Sequence, residues 1–133
     1  DIMKYLKMIL LNKITLFIMS LFYINVGVKH FMAPEWFLYI IPPYLLSIGL
    51  ELVYISGIFE ILLGFLLLFP KYREIAAYGI ILLLIAVYPA NIFLAFNKEA
   101  QGLIGISSFA ASWIRLPIQF ILIGIAYYHS KIK

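Results

Sequence analysis

The sequence predicts an all-α membrane protein, a bundle of four transmembrane helices with both termini in the cytoplasm. Three observations predict it. The 133 residues are 65% hydrophobic and 12% charged, with mean hydropathy +1.07, whereas soluble domains are about 45–50% apolar and about 25% charged. Four apolar runs, at about 14–31, 53–69, 75–96 and 113–128, each approach the roughly 20 residues that cross a bilayer as a helix, and none alternates as a strand would. The basic residues sort by connection: Lys4, Lys7, Lys13, Lys71, Arg73, Lys131 and Lys133 fall on one side, and Lys29, Lys98 and Arg115 on the other. The positive-inside rule puts the richer side in the cytoplasm. The length suits a single domain, 1–133, with no room for a separate soluble catalytic unit.

The first run, "ITLFIMSLFYINVGVKHF", follows three lysines, and no small-residue cleavage site comes after it. A retained helix is expected in place of a removed signal peptide. The next segment, "APEWFLYIIPPYLLSIGLE", is apolar but carries Pro34, Pro42 and Pro43, which break it into pieces too short to span. It is expected at the interface, where Trp36, Tyr39 and Tyr44 suit the headgroup level. The second and third runs are joined by the basic turn "PKYREI". The third contains Pro89 in "YPANIF", which deprives the carbonyl of Ile85 of its intrahelical donor; Pro117 does the same to Trp113 if the last helix already runs there. The connection "NKEAQGLIGISSFAAS" reads as a loop or a short surface helix.

Polar residues gather in the outer half. Glu60 lies nine residues beyond Glu51, roughly 13 Å at 1.5 Å per residue, near mid-bilayer. An ionisable group there costs about 2.5–3.5 kcal/mol on insertion scales and is expected to face the bundle interior. Lys29 and His30 end the first helix, Asn91 follows Pro89, and Arg115 and Gln119 stand one turn apart on the fourth. Ser56 and Gly64 flank Glu60 at i−4 and i+4, giving its face a hydroxyl and a gap for close approach. Asn25 and Lys29 share a face in the same way. The expected arrangement pairs Arg115 with Glu60, with Gln119 and Asn91 adding hydrogen bonds, because a planar guanidinium binds a carboxylate bidentately. His30 or Lys29 is the next candidate partner for Glu60.

Some chemistry is excluded by residue type. The chain has no cysteine, which removes disulfides, thiolates and thiol-ligated clusters. His30 and His129 are expected at opposite ends of the bundle, about 30 Å apart, and so share no metal or haem. No nucleophile triad, phosphate loop or metal-ligand spacing occurs. The net charge of +4 reads as a topology signal, and no nucleic-acid partner is expected.

The succession "GVKHFMAPEWF", "IPPYL", "LVYISGIFEILLGFLLLFPKYREIAA", "VYPANIF" and "WIRLPIQFILI" resembles the DoxX family of small four-helix membrane proteins over nearly the whole chain. The residues that carry the likeness are Gly27, His30, Phe31, Pro34, Pro42, Pro43, Ser56, Gly57, Glu60, Gly64, Pro89, Asn91, Arg115, Leu116, Pro117 and Gln119. The resemblance implies a bacterial inner-membrane protein associated with redox functions, some relatives being membrane subunits of a thiosulfate:quinone oxidoreductase and others being linked to oxidative-stress complexes.

The functional expectation is a membrane subunit of a redox or quinone-linked complex, at most one part of an oxidoreductase. Its polar pocket is expected to be lined by Glu60, Arg115, Gln119, Asn91, His30, Lys29 and Ser56, with a quinone as the one cofactor to consider. Partners would be the bilayer and either other subunits or further copies of the chain. Two alternatives stand beside it. One is a membrane anchor or assembly subunit, in which Glu60 and Arg115 are a structural ion pair. The other is a small-molecule or proton transporter, which the single deep carboxylate permits but no acid or histidine in the cytoplasmic half continues.

Overall fold

The computed structural model describes residues 1–132. The chain runs through α1 (Ile2–Met32), α2 (Pro34–Leu38), a 3-10 turn (Pro43–Ile48), α3 (Gly49–Leu66), α4 (Arg73–Phe96), α5 (Lys98–Ile104), a π turn (Ala110–Ile114) and α6 (Arg115–Ser130). Four stretches, Ile2–Met32, Pro43–Leu66, Arg73–Phe96 and Ala110–Ser130, are long and apolar enough to cross a membrane. Their outward faces carry exposed Phe17, Ile18, Leu82, Phe120 and Ile121, an apolar surface suited to lipid.

Helix α1 begins twelve residues before the expected position 14, at Ile2, where Asp1 caps it by accepting from the Met3 amide at 3.1 Å. The lysines that interrupt the hydropathy do not interrupt the helix, since neither glycine nor proline occurs before Gly27. Its 31 residues reach about 46 Å, longer than the roughly 30 Å apolar layer. The proline-rich segment uses its prolines as helix starts: Pro34 and Pro43 each open a short helical piece, where the missing N–H costs nothing. Tyr39 and Tyr44 are exposed as expected, whereas Trp36 turns inward and is only partly exposed.

Bundle order follows two tight pairs. Helix α1 packs along α3, and α4 along α6. Small residues make the first pair: a Cβ on Gly27 would stand 2.8 Å from the Gly57 carbonyl oxygen, and one on Gly57 would meet His30 Cβ at 2.7 Å and the Gly27 oxygen at 3.0 Å. Ser20 Oγ donates to the Gly64 carbonyl at 2.6 Å in the same seam. Backbones this close trade side-chain bulk for dispersion contact, the usual means of helix association in lipid.

The second pair is tied down at the end remote from the termini. Gln101 Nε2 donates to the Leu94 and Ala95 carbonyls at 2.9 and 3.2 Å, and Ser112 Oγ donates to Ala95 at 3.2 Å. These side chains satisfy the last carbonyls of α4. The connection expected as loop or short helix is thus a short helix plus a turn. The π turn ahead of α6 sends the Arg115 amide back to the Ala110 carbonyl, a widened turn just before Pro117, where an ordinary helical ladder would lose a donor.

At the other end, the turn from α3 to α4 is held by Arg73, whose Nε and Nη2 donate to the Leu67 and Leu68 carbonyls at 2.8 and 3.4 Å. Arg73 was counted as a surface topology charge; it is buried and caps α3. Helices α6 and α1 meet at the same end, through Thr15 Oγ1 and His129 Nε2 at 3.1 Å and from Tyr128 OH to Asn12 Oδ1 at 2.7 Å. Both ends of the described chain therefore lie together. Just beyond α6, Lys131 Nζ donates to Tyr78 OH at 3.0 Å, and that bond holds its ammonium above the usual lysine range.

The interior has layers. Near the termini, Leu16, Met19, Tyr23, Leu67, Ala76, Ala77, Ile80, Leu84 and Ala126, from α1, α4, α6 and the turn after α3, form a core against which Leu63 and Leu66 of α3 pack. At the far end Ile40, Leu94, Ala100 and Ala111, with Trp36 and Phe93 against them, form an apolar cap.

Candidate functional site

Between the core and the cap lies a cavity of about 1250 Å³. It separates the α1–α3 pair from the α4–α6 pair, and all seven residues expected at the pocket line it: Lys29 and His30 from α1, Ser56 and Glu60 from α3, Asn91 from α4, Arg115 and Gln119 from α6. The pairing among them differs from the expectation.

Arg115 does not bridge to Glu60. Its Nη2 donates to Asn91 Oδ1 at 2.9 Å, and its guanidinium lies 6.0 Å from the Trp36 ring centroid, in reach of a cation–π contact. The carboxyl of Glu60 instead lies 3.5 Å from His30 Nδ1. The reason is the pairing of helices. Glu60 belongs to α3, whose close neighbour is α1, and Arg115 belongs to α6, whose close neighbour is α4. Each charged group finds its partner within its own pair, and the cavity keeps the two apart.

His30 is fixed more firmly than an interfacial cap would be. Its Nδ1 lies 2.7 Å from the Val26 carbonyl; a carbonyl only accepts, so Nδ1 carries the proton and spends it there. The ring stacks on Phe37 with centroids 3.7 Å apart. Glu60 thus has a close imidazole without a hydrogen bond from it, and Glu60 Oε2 has no hydrogen-bond partner among the described residues.

A second orphan stands beside it. Tyr23 lies on α1, 3% exposed, and its hydroxyl also has no partner. In the sequence Tyr23 stands as one of ten tyrosines. Its place seven residues before His30, two helical turns away on one face, was the available signal.

On the opposite wall Gln119 Nε2 donates to the Leu84 carbonyl at 3.1 Å. A side chain was expected to satisfy Ile85, the carbonyl four residues before Pro89; the bond falls one residue earlier. Helix α4 continues through Pro89 to Phe96, and Leu84, unlike Ile85, is buried. The carbonyl reached by α6 is the one on the inward face.

His129, expected as a bland helix-end residue, is 1% exposed inside the terminus end of the bundle. It does not line the cavity. Among the described residues no group of three metal-ligating side chains comes together.

The cavity is therefore two-sided. One wall offers Tyr23 OH, the Glu60 carboxyl and the His30 ring; the other offers the Arg115 guanidinium and the Asn91 and Gln119 amides. Buried polar atoms without partners are costly and infrequent in folded proteins, and here two of them, Tyr23 OH and Glu60 Oε2, belong to residues that line one large apolar space.

The sequence model of a family described as a domain of unknown function, DUF8561, matches residues 19–130. The chain belongs to that family. The match overturns the resemblance to DoxX, and with it the redox association that rested on that likeness. The misleading pieces have a physical explanation: Gly27, Gly57 and Gly64 make a helix seam, and Pro34 and Pro43 start helices, solutions open to any small four-helix membrane protein. No curated protein and no solved structure matches the DUF8561 chain.

Proposed function

We propose that this chain is a membrane-embedded binding subunit for an amphiphilic small molecule with a polar ring head, of the quinone class. The observation that carries the reading is the two-sided cavity lined by polar residues of both helix pairs, with Tyr23 OH and Glu60 Oε2 buried next to it and without partners among the described residues. A quinone presents oxygens on opposite edges of a flat ring. Arg115 and Gln119 can donate to one edge, while Tyr23 donates to the other and Glu60 meets the hydroxyl of the reduced form. Phe22, Trp36 and Phe37 supply aromatic surface beside the head. The volume exceeds the roughly 300–1,000 Å³ of ordinary ligand pockets, which leaves space for an apolar tail.

The chain has no cysteine, so the binding reading rests on its oxygen and nitrogen side chains and involves no thiolate chemistry. The positive-inside rule puts the terminus end, with Lys4, Lys7, Lys13 and Lys71, on the cytoplasmic side, and the cavity in the outer half.

Native mass spectrometry of the protein released gently from its own membrane tests this. Retention of a quinone by the unaltered chain, with about tenfold weaker retention (roughly 1.4 kcal/mol) in a Glu60→Gln variant that still folds, is the expected result. Co-purifying chains with no small molecule would replace it with an assembly role.

A further inference from the structure

The sides of the cavity are built differently. The apolar core forms its floor and the Ile40–Leu94–Ala111 cap its roof. The α1–α3 side is sealed by the Gly27–Gly57 contact. The α4–α6 side is a close pair as well, and α3 packs on α4. Helices α1 and α6 are not a closely packed pair; the bonds between them, Thr15 with His129 and Asn12 with Tyr128, lie at the terminus end. Toward the far end both still border the cavity, with Phe22 (46% exposed) and Asn25 on α1 and Ile118 (41% exposed) on α6.

We infer that the slot between α1 and α6 is a lateral opening to the bilayer, and that it seats the apolar tail of the ligand while the head lies among the polar groups within. This inference rests on the binding reading for its occupant. The rim chemistry fits a lipid-dissolved chain: Phe22 and Ile118 flank the slot with apolar surface, and Lys29 on the same cavity lining sits where a headgroup-level cation belongs. Entry from the side spares a molecule with a long tail from crossing water, and the tail then needs no partner in the protein beyond apolar contact. The polar head, by contrast, finds the donors and acceptors that lipid lacks.

The chain has no cysteine, so a single introduced thiol can carry a fluorophore. Ser56→Cys places it on α3 inside the cavity; Leu21→Cys, exposed on the outside of α1, is the lipid-facing control. The full chain is labelled with bimane and reconstituted in vesicles made with acyl-chain-brominated phospholipid. The expected result is that bromolipid quenches the label at 56 as well as the one at 21, while aqueous iodide quenches neither. Narrowing the slot with Phe22→Trp and Ile118→Trp together should return quenching at 56 to the level of an unbrominated bilayer and leave position 21 unchanged. Iodide quenching at 56, or no quenching by either agent, would overturn the lateral opening. Val53→Cys, which lines the cavity from α3 and is buried, gives the same reading if the Ser56 variant does not assemble. No quinone is present in this measurement, so a failed quinone titration leaves its outcome intact, and a closed slot leaves quinone binding to be judged by itself.

Discussion

The two halves of the bundle contain similar polar groups and treat them differently. In the terminus half, Arg73 bonds to the two carbonyls just past α3, Ser20 to Gly64, and His129 to Thr15. These bonds tie one helix to another, and among the described residues the His129 Nδ1 atom is the one buried side-chain nitrogen or oxygen there without a partner. Around the cavity, Arg115 has a single amide partner, and Tyr23 and Glu60 each keep a polar atom without a partner among the described residues. The difference teaches that one half is organised to hold helices together and the other to meet something outside the chain. A polar group satisfied by backbone raises stability, whereas one left facing a cavity lowers it and gains only when a ligand arrives.

The sharpest way to break this comparison is to destroy the frame both halves share. Gly57→Leu drives a side chain into His30 and the Gly27 carbonyl, and backbone cannot yield as a flexible side chain does. A loss of about 1–3 kcal/mol or more is expected, read as a large drop in the thermal midpoint of the detergent-solubilised protein. An unchanged midpoint would mean that α1 and α3 are not in this contact.

A matched arginine pair tests the contrast directly. Arg73→Met removes charged hydrogen bonds to two carbonyls and should cost roughly 1.5–3 kcal/mol, with ligand affinity unchanged. Arg115→Met removes one bond to Asn91 and should cost about 1 kcal/mol, while quinone affinity falls about tenfold, or roughly 1.4 kcal/mol. Equal stability losses with no affinity change in either variant would erase the distinction between the halves.

The smallest effect is the most specific. Tyr23→Phe deletes a hydroxyl that has no hydrogen-bond partner among the described residues, so stability should stay within about 0.5 kcal/mol. Quinone affinity should fall severalfold, by about 1 kcal/mol for one neutral hydrogen bond. A clear loss of stability measured by thermal unfolding would show that the hydroxyl has a structural partner after all.

How much of this was legible in advance varies by element. The spans at 75–96 and 113–128 fall within two residues of α4 and α6, because long apolar runs leave few alternatives to a helix in lipid. The start of α1 was misplaced because hydropathy measures where a helix meets lipid, not where hydrogen bonding begins. The residues of the pocket were legible as a set, since deep polar groups in an apolar chain have to turn inward. Their partners were not, and the family was misjudged because packing glycines and helix-starting prolines recur across unrelated bundles.

The sequence by itself determined four apolar helical segments, the clustering of polar residues toward one end and the absence of thiol chemistry, because each of these follows from residue type and spacing along a single chain. Only the tertiary structure decided that α1 joins α3 and α4 joins α6. That choice, made by glycine contacts and side-chain caps between residues far apart in sequence, put His30 beside Glu60, gave Arg115 to Asn91, and left a cavity where a salt bridge was expected.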